Sequence, residues 1–339
     1  MKKYAIWNNK GGVGKTFLSF VLATEYAKSN PSTNVLIIDT CPQADVSQVL
    51  LGGTSNEGVN YLKISNSKKT LAGYIDERIN KSPYSLLGSE VDFFHQVSQY
   101  NKEIPDNVYL VCGDNALELF AQTLTTFSGT NKVGTRGTYY KEIHRICIDL
   151  QDAFSRKYGS ESVCFLDTNP SFSIYTKMAL YASEQLIIPC FSDLGSLLAL
   201  KNIMRLVYSV QISGYESNFK EESEKYSLAL PLIFKIVLGR STIYNTVSAK
   251  AFQNIENQIT QCITDLKQQF NGSVFANTEI VYKLRDFNSV APIIHDTSKL
   301  LTNLNTVETL SNQENVTINH IDNYRGDVDG SIKSLLNLL

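Results

Sequence analysis

The chain has one tryptophan, three methionines, eight prolines and four histidines in 339 residues, and no excess of charge of either sign. Lys and Arg number 31 against 33 Asp and Glu, a net charge of -2, so no overall basic field advertises nucleic acid. A local basic patch stays possible, but a histone-like or ribosomal-protein-like composition is excluded. The six cysteines (Cys41, Cys112, Cys147, Cys164, Cys190 and Cys262) include no C-x-x-C pair. Three of them fall in apolar runs that read as buried strands, which suits reduced thiols in a cytosolic protein. His95, His144, His295 and His320 lie too far apart for zinc-ligand spacing. No apolar run reaches the roughly 18 residues of a membrane span. The start, Met1-Lys2-Lys3-Tyr4-Ala5-Ile6-Trp7-Asn8-Asn9-Lys10, turns polar before a signal-peptide apolar region forms, so a cytoplasmic protein is expected.

What is present is a chain that is 43% hydrophobic and 19% charged, long enough to bury a sizeable core without disulfides or metal. The segment from Tyr4 to Trp7 is apolar, a glycine-rich turn follows at once, and an apolar-periodic stretch runs over 17–28. This reads as strand, loop, helix. Continuous apolar runs at 34–39, 162–167, 185–189 and 230–238 have the form of strands buried on both faces. Helical stretches at 139–157, 174–182, 194–210 and 242–270 lie between and after them. The alternation predicts an α/β fold, a doubly wound, mostly parallel sheet with helices on both faces. A single domain over 1–339 is expected, with an insertion or elaborated connection at about 52–105. A surface loop is expected at 211–225. A helix is expected at about 316–339 from the spacing of Ile318, Ile321, Tyr324, Val328, Ile332 and Leu335.

The strongest chemical signal is Lys10-Gly11-Gly12-Val13-Gly14-Lys15-Thr16, directly after a strand and opening a helix. Glycines let backbone N–H groups converge on phosphate oxygens that side chains would block. The helix N-terminus adds a favourable dipole. Lys15 is placed to reach the β/γ-phosphates and the Thr16 hydroxyl to ligate Mg²⁺, with Phe17 completing the nucleotide-binding run. Asp39 and Asp167 each end an apolar run, at the strand ends where ligands bind in open α/β sheets. Acids there can hold Mg²⁺ through its waters.

The second lysine, Lys10, makes this motif resemble the deviant Walker A motif of the ParA/MinD ATPases. Asp39-Thr40-Cys41-Pro42-Gln43-Ala44-Asp45-Val46-Ser47 is similar to that family's switch I, usually D-x-D-P-Q, and Asp167-Thr168-Asn169-Pro170-Ser171 to its switch II, usually D-x-P-P. The similarity spans most of 3–210 and, more loosely, 230–301. It implies ATP and Mg²⁺ as ligands, with Lys10, Lys15 and Asp39 as catalytic residues. It also implies a homodimer in which Lys10 crosses to the partner's nucleotide; without the resemblance Lys10 is an ordinary lysine near phosphates. The function implied is an ATP-dependent switch in DNA partition or cargo positioning. Hydrolysis would be slow and stimulated by a ParB-like or adaptor protein, and the ATP state would bind DNA without sequence preference. The alternative is a MinD-like membrane-associated switch. Its marker, a basic amphipathic C-terminal helix, is poorly met because 331–339 carries one lysine, so membrane attachment is not expected. Nitrogenase-reductase-like, arsenite-pump-like and tyrosine-kinase relatives lack their markers here. Candidate DNA-contacting cations are Lys201, Arg205, Arg240, Lys250, Lys283 and Arg285, each of which alone reads as a surface charge.

One departure stands out. Where the family has its second switch I acid, the residue that helps position the attacking water, this chain has Cys41. A neutral thiol does not polarise water as a carboxylate does. Three readings stay open: slow hydrolysis, a branch that orients water another way, or a position that tolerates replacement.

Overall fold

The computed structural model describes residues 1–54, 58–133, 137–209, 217–239, 247–270, 272–284 and 290–318, with backbone alone for 247–253. The chain begins with β1 (Lys2–Ile6), the glycine loop and α1 (Lys15–Ser29), then β2 (Asn34–Asp39) and α2 (Asp45–Leu50). The next stretch carries α3 (Val59–Asn66), α4 (Leu71–Lys81), β3 (His95–Gln96) and β4 (Val108–Val111). After α5 (Leu117–Gly129), α6 (Tyr140–His144) and α7 (Ile146–Tyr158) come β5 (Ser162–Asp167), α8 (Ile174–Tyr181), β6 (Gln185–Phe191) and α9 (Leu194–Tyr208). Then follow α10 (Phe219–Tyr226), β7 (Leu232–Gly239), α11 (Val247–Gln269), β8 (Val281–Lys283) and α12 (Ala291–Thr297). A hairpin of β9 (Val307–Thr309) and β10 (Asn315–Thr317) completes the described elements.

The first eight strands form one sheet in the order β3-β4-β2-β5-β1-β6-β7-β8. All neighbours are parallel except β3, which runs antiparallel to β4 at the edge. The alternation of side chains along each strand feeds two cores. Ala5, Leu36, Ile38, Cys164 and Leu166 face the helices α4 to α11 on one side. Tyr4, Ile6, Val35, Ile37, Val163 and Phe165 face α1, α2 and α12 on the other. This is the doubly wound architecture that the apolar runs predict. Register then positions the site: Asp39 on β2 lies opposite Asp167 on β5, and Ile6 on β1 opposite the same Asp167. Three strands therefore end on one line at the carboxyl edge of the sheet, the place where open α/β sheets bind ligands.

Three expectations change. The helical stretch at 139–157 is two helices, broken at Arg145; α6 packs on α5 and α8, whereas α7 packs on β2 and β5. The loop expected at 211–225 contains α10, because Phe219 and Ser223 share one helical face and Phe219 packs between Tyr181 and Phe172. The helix expected at about 316–339 starts instead as β10, whose Val316 pairs with Glu308 of β9; residues 319–339 lie outside the described residues. β-branched Val and Thr on both short strands favour the hairpin.

Within 52–105, α4 is tied to the main body by Arg78, whose guanidinium meets Asp149 of α7 at 2.7 Å with both groups largely buried. Gly53, at φ +55°, sits where a Cβ would lie 2.3 Å from the carbonyl oxygen of His295, so α2 can approach α12 only with glycine there.

His144 gives the fold a pH signature. Its Nδ1–H donates to the Tyr140 carbonyl at 2.9 Å, the ring stacks on Tyr140, and burial with nearby Lys177 pushes its pKa down to about 4. The unfolded chain therefore takes up a proton near the ordinary pH 6.5 that the folded one refuses. His144 should contribute full stability above pH 6.5 and lose up to about 3 kcal/mol as the pH falls to about 4. Urea midpoints of the wild type and of His144→Phe should converge over that window; parallel curves would contradict the buried neutral imidazole.

Candidate functional site

The glycine loop leaves β1 and enters α1 through two residues in the left-handed region, Gly12 at φ +70° and Gly14 at φ +84°. No atom lies within 4 Å of where a Cβ would stand at either, so conformation, not space, calls for glycine. Asn8 pins the loop's start. Its Nδ2 donates to the Pro189 carbonyl at 2.7 Å, and its Oδ1 accepts from the Lys10 backbone N–H at 2.9 Å. The loop faces a cleft of about 510 Å³ lined by Gly12, Gly14, Lys15, Thr16 and Phe17. Cys41 and Gln43 of the β2–α2 loop and Asp45 at the start of α2 also line it, with Thr168 to Pro170 and His295 of α12. The cleft thus brings together the glycine motif and both segments that resemble switches.

Beneath it lie the charges. Lys15 is buried and reaches back to the Lys10 carbonyl at 3.1 Å; burial lowers its pKa, opposed by the charge of Asp167. Asp39 is fully buried and accepts from the Ser47 hydroxyl at 2.6 Å and from the Cys41 backbone N–H at 3.0 Å. Asp167, also fully buried, accepts from the Ser19 hydroxyl at 2.6 Å. Desolvation raises both carboxyls, and Asp39 raises Asp167 further by its like charge, so the pair holds a proton well above the ordinary carboxylate range. The hydroxyls then tie the strand ends together. Thr40 donates to the Asp167 carbonyl at 2.7 Å and Thr168 to the Ile6 carbonyl at 2.7 Å.

The donor set fits a hydrated Mg²⁺ beside a nucleotide phosphate. Asp167 Oδ2 is buried without a hydrogen-bond partner, an oxygen whose desolvation a cation or its water would offset. Two buried acids and the Thr16 hydroxyl are hard oxygen donors, and Mg²⁺ usually keeps several waters and completes its shell with substrate phosphates. Accordingly, among the described residues no group of three His, Cys, Asp or Glu forms a protein-only metal cage.

Cys41 is committed elsewhere. Its thiol donates to Gln43 Oε1 at 2.8 Å, and burial beside Asp39 pushes its pKa up to about 12, so it stays a neutral thiol. Lys10 does not line the cleft. Its ammonium sits between both oxygens of Asp193, at 2.6 and 2.5 Å, at the start of α9. Of the cationic candidates, Lys201 is exposed on α9 and Arg205, one turn on, holds Asn202 Oδ1 at 2.6 Å. Lys283 on β8 is ion-paired with Glu256 of α11. Arg240 and Arg285 lie outside the described residues, as does the side chain of Lys250. Sequence reading missed Asn8, Ser19, Asp193 and His295, and gave no role to Asp45 and Ser47 within the segment that resembles switch I. Ser19 alone carried a local signal, four residues after Lys15 on the same helix face.

Glycine loop, parallel sheet and buried acids define a P-loop protein of the α/β class. Residues 1–125 match the model of a family described as AAA domain. Apo McdA of Cyanothece shares 15% identity, with 88% of this chain and 91% of that one covered and a TM-score of 0.58. A McdA variant of Cyanothece in complex with ATP also shares 15%, covering 99% and 96% of the two chains, with a TM-score of 0.57. A protein of Borrelia burgdorferi described as a plasmid partition protein, bound to AMPPNP, shares 18% over 98% and 99% of the two chains, with a TM-score of 0.54. Comparison with curated protein sequences gave no match. With the motifs, these likenesses support the P-loop α/β fold over the whole chain and a family match over its first 125 residues.

Asp167→Asn tests the charge arrangement. Because the ionised carboxyl is disfavoured without a cation, the neutral amide should raise metal-free stability by roughly 1 kcal/mol. Calorimetric titration should show that the same variant loses the Mg²⁺-dependent part of nucleotide affinity. A less stable variant that keeps this part would refute the metal-side role.

Proposed function

We propose that the chain is an ATPase that works as an ATP-dependent dimer switch in DNA partition or cargo positioning. The observation that carries this reading is the juxtaposition of Lys15, Asp39 and the partnerless Asp167 Oδ2 beneath a cleft walled by the glycine loop. ATP and Mg²⁺ are the ligands that such a donor set fits. The Cyanothece and Borrelia proteins of like fold bound to ATP or AMPPNP support it.

Within the cleft, the loop's N–H groups and Lys15 would neutralise the phosphates, and Thr16 with the two acids would hold Mg²⁺, whose charge stabilises the transferring phosphoryl group. Thr40 and Thr168 couple switch I and switch II to β5 and β1, so a change at the phosphates is felt by both segments. Dimerisation would bring Lys10 across to the partner's nucleotide, after leaving Asp193. Leu194 and Leu198, 56% and 57% exposed on the α9 turn beside Asp193, are apolar surface that a second copy would cover. A partner protein, ParB-like or an adaptor, would stimulate hydrolysis. Lys201 and Arg205 on the same helix are the described cations best placed to meet phosphates without reading bases. No described helix is long and apolar enough to cross a membrane.

Two substitutions separate the lysines. Lys15→Ala should weaken ATP binding roughly 10- to 100-fold, by loss of a charged hydrogen bond to phosphate. Lys10→Ala should leave ATP affinity within about threefold and abolish the ATP-dependent gain in mass by light scattering. Equal losses of affinity in both would refute the cross-subunit role of Lys10.

DNA binding should require ATP, look alike on unrelated duplexes and fall steeply with salt, by roughly a hundredfold from 50 to 200 mM for about four phosphate contacts. Salt-insensitive or sequence-specific binding, or ATP-dependent sedimentation with liposomes instead of DNA, would contradict the partition reading.

A further inference from the structure

The chemistry of the cleft leaves one post unfilled and one group unused. Hydrolysis needs an acceptor that holds a water in line with the γ-phosphorus. Cys41 stands at the position where the family's acid would do this, and its proton is already given to Gln43 Oε1 at 2.8 Å. That bond also occupies Gln43. Asp39 and Asp167 are fully buried and engaged by Ser47 and Ser19. One carboxylate remains in the lining, Asp45, the first residue of α2. It is half-buried, and its carboxylate makes no hydrogen bond to another described residue. It shares the lining of the cleft with Cys41, Lys15 and Thr16. Its charge is felt at Cys41, Asp39 and Asp167, raising the pKa of each, so it stands within electrostatic reach of the metal-side acids.

We propose that Asp45 is the carboxylate that positions the attacking water, taking over the task that Cys41 cannot perform. This rests on the ATPase reading above. The turn that delivers it is specific. Ala44 adopts φ 54° and starts α2, and the Gln48 side chain holds the Gln43 carbonyl at 2.8 Å. Asp45 therefore enters the cleft four residues after Cys41 on the same short segment. In the step itself, the water oxygen bonds to the γ-phosphorus while the bond from that phosphorus to the β–γ bridging oxygen breaks. The bridging oxygen leaves on ADP with the electron pair. The water's proton passes to Asp45 and from there to solvent, leaving inorganic phosphate. His295, from α12, also lines the cleft and makes no side-chain hydrogen bond to another described residue, so it is the competing candidate.

The test is single-turnover hydrolysis by the full chain, together with binding of a non-hydrolysable ATP analogue with Mg²⁺. Asp45→Asn should slow hydrolysis roughly 100-fold or more, the usual worth of a positioned acid–base group. Analogue affinity should stay the same or tighten, because a negative charge facing the γ-phosphate is removed. A Cys41→Asp change in that background should restore at least tenfold, returning the carboxylate from the neighbouring position. His295→Asn, the competing assignment, should slow hydrolysis less than Asp45→Asn does. Hydrolysis by Asp45→Asn within threefold of wild type would overturn the proposal while leaving the ATPase reading intact. Weaker binding of the Mg²⁺ analogue in step with the lost turnover would overturn it in favour of a metal-holding role. Loss of turnover in His295→Asn alone, or a double variant that binds the analogue but is not rescued, would overturn it too. A wild-type chain that binds ATP and never hydrolyses it would overturn the ATPase reading itself and the task of Asp45 with it.

Discussion

Two carboxylates buried side by side, with one lysine near them and an oxygen left without a partner, set the terms for everything built around the cleft. Such a pair is costly in a closed interior. The register of β2 against β5 forces it, since Asp39 and Asp167 are the last residues of paired strands. Ser19 and Ser47 offset part of the cost, each with a 2.6 Å hydrogen bond, and the raised pKa of both carboxyls limits the charge that stays buried. No described residue satisfies Asp167 Oδ2. A site built this way is complete only with a cation and an anion together, which is what a Mg²⁺-bound nucleotide supplies.

The same constraint explains how loops on separate strands act as one. Thr40 on the switch I segment bonds the backbone of Asp167, Thr168 on the switch II segment bonds the backbone of Ile6, and Asn8 joins the glycine loop to the end of β6. Each bond runs from a loop to a neighbouring strand end, so the glycine loop and the loops after β2 and β5 are tied to one another through the sheet. The Lys10–Asp193 pair is half-exposed and therefore of small intrinsic stability.

Much of this architecture is legible in the residues alone. The glycine loop is, because conformational freedom, phosphate access and helix start all demand specific residues within seven positions. Asp39 and Asp167 are, because each closes an apolar run, and parallel strands buried on both faces announce themselves by such runs. The partners of these groups are not. Asp193 is 183 residues from Lys10, and His295 enters from an element whose packing on α2 depends on Gly53. Cleft membership of Asp45 follows from the turn at Ala44, which a propensity argument does not see. The helix α10 is hidden by polar composition, since only Phe219 and Ser223 of its eight residues are buried. The break at Arg145 has no signal in apolar spacing at all. Short strands such as β10 imitate a helical pattern when only one or two apolar residues fall in them.

The measurement that bears most directly on the buried acid pair is the proton balance of nucleotide binding. Calorimetric titration of a non-hydrolysable ATP analogue with Mg²⁺, near pH 7.5 and in buffers of different ionisation enthalpy, counts protons released by the protein. Net release is expected, because the cation displaces the proton that burial and like charge hold on the acid pair, and the release should vanish in Asp167→Asn. Binding heats independent of buffer in the wild type would mean that the two acids are already ionised in the free protein, and would contradict the raised carboxyls.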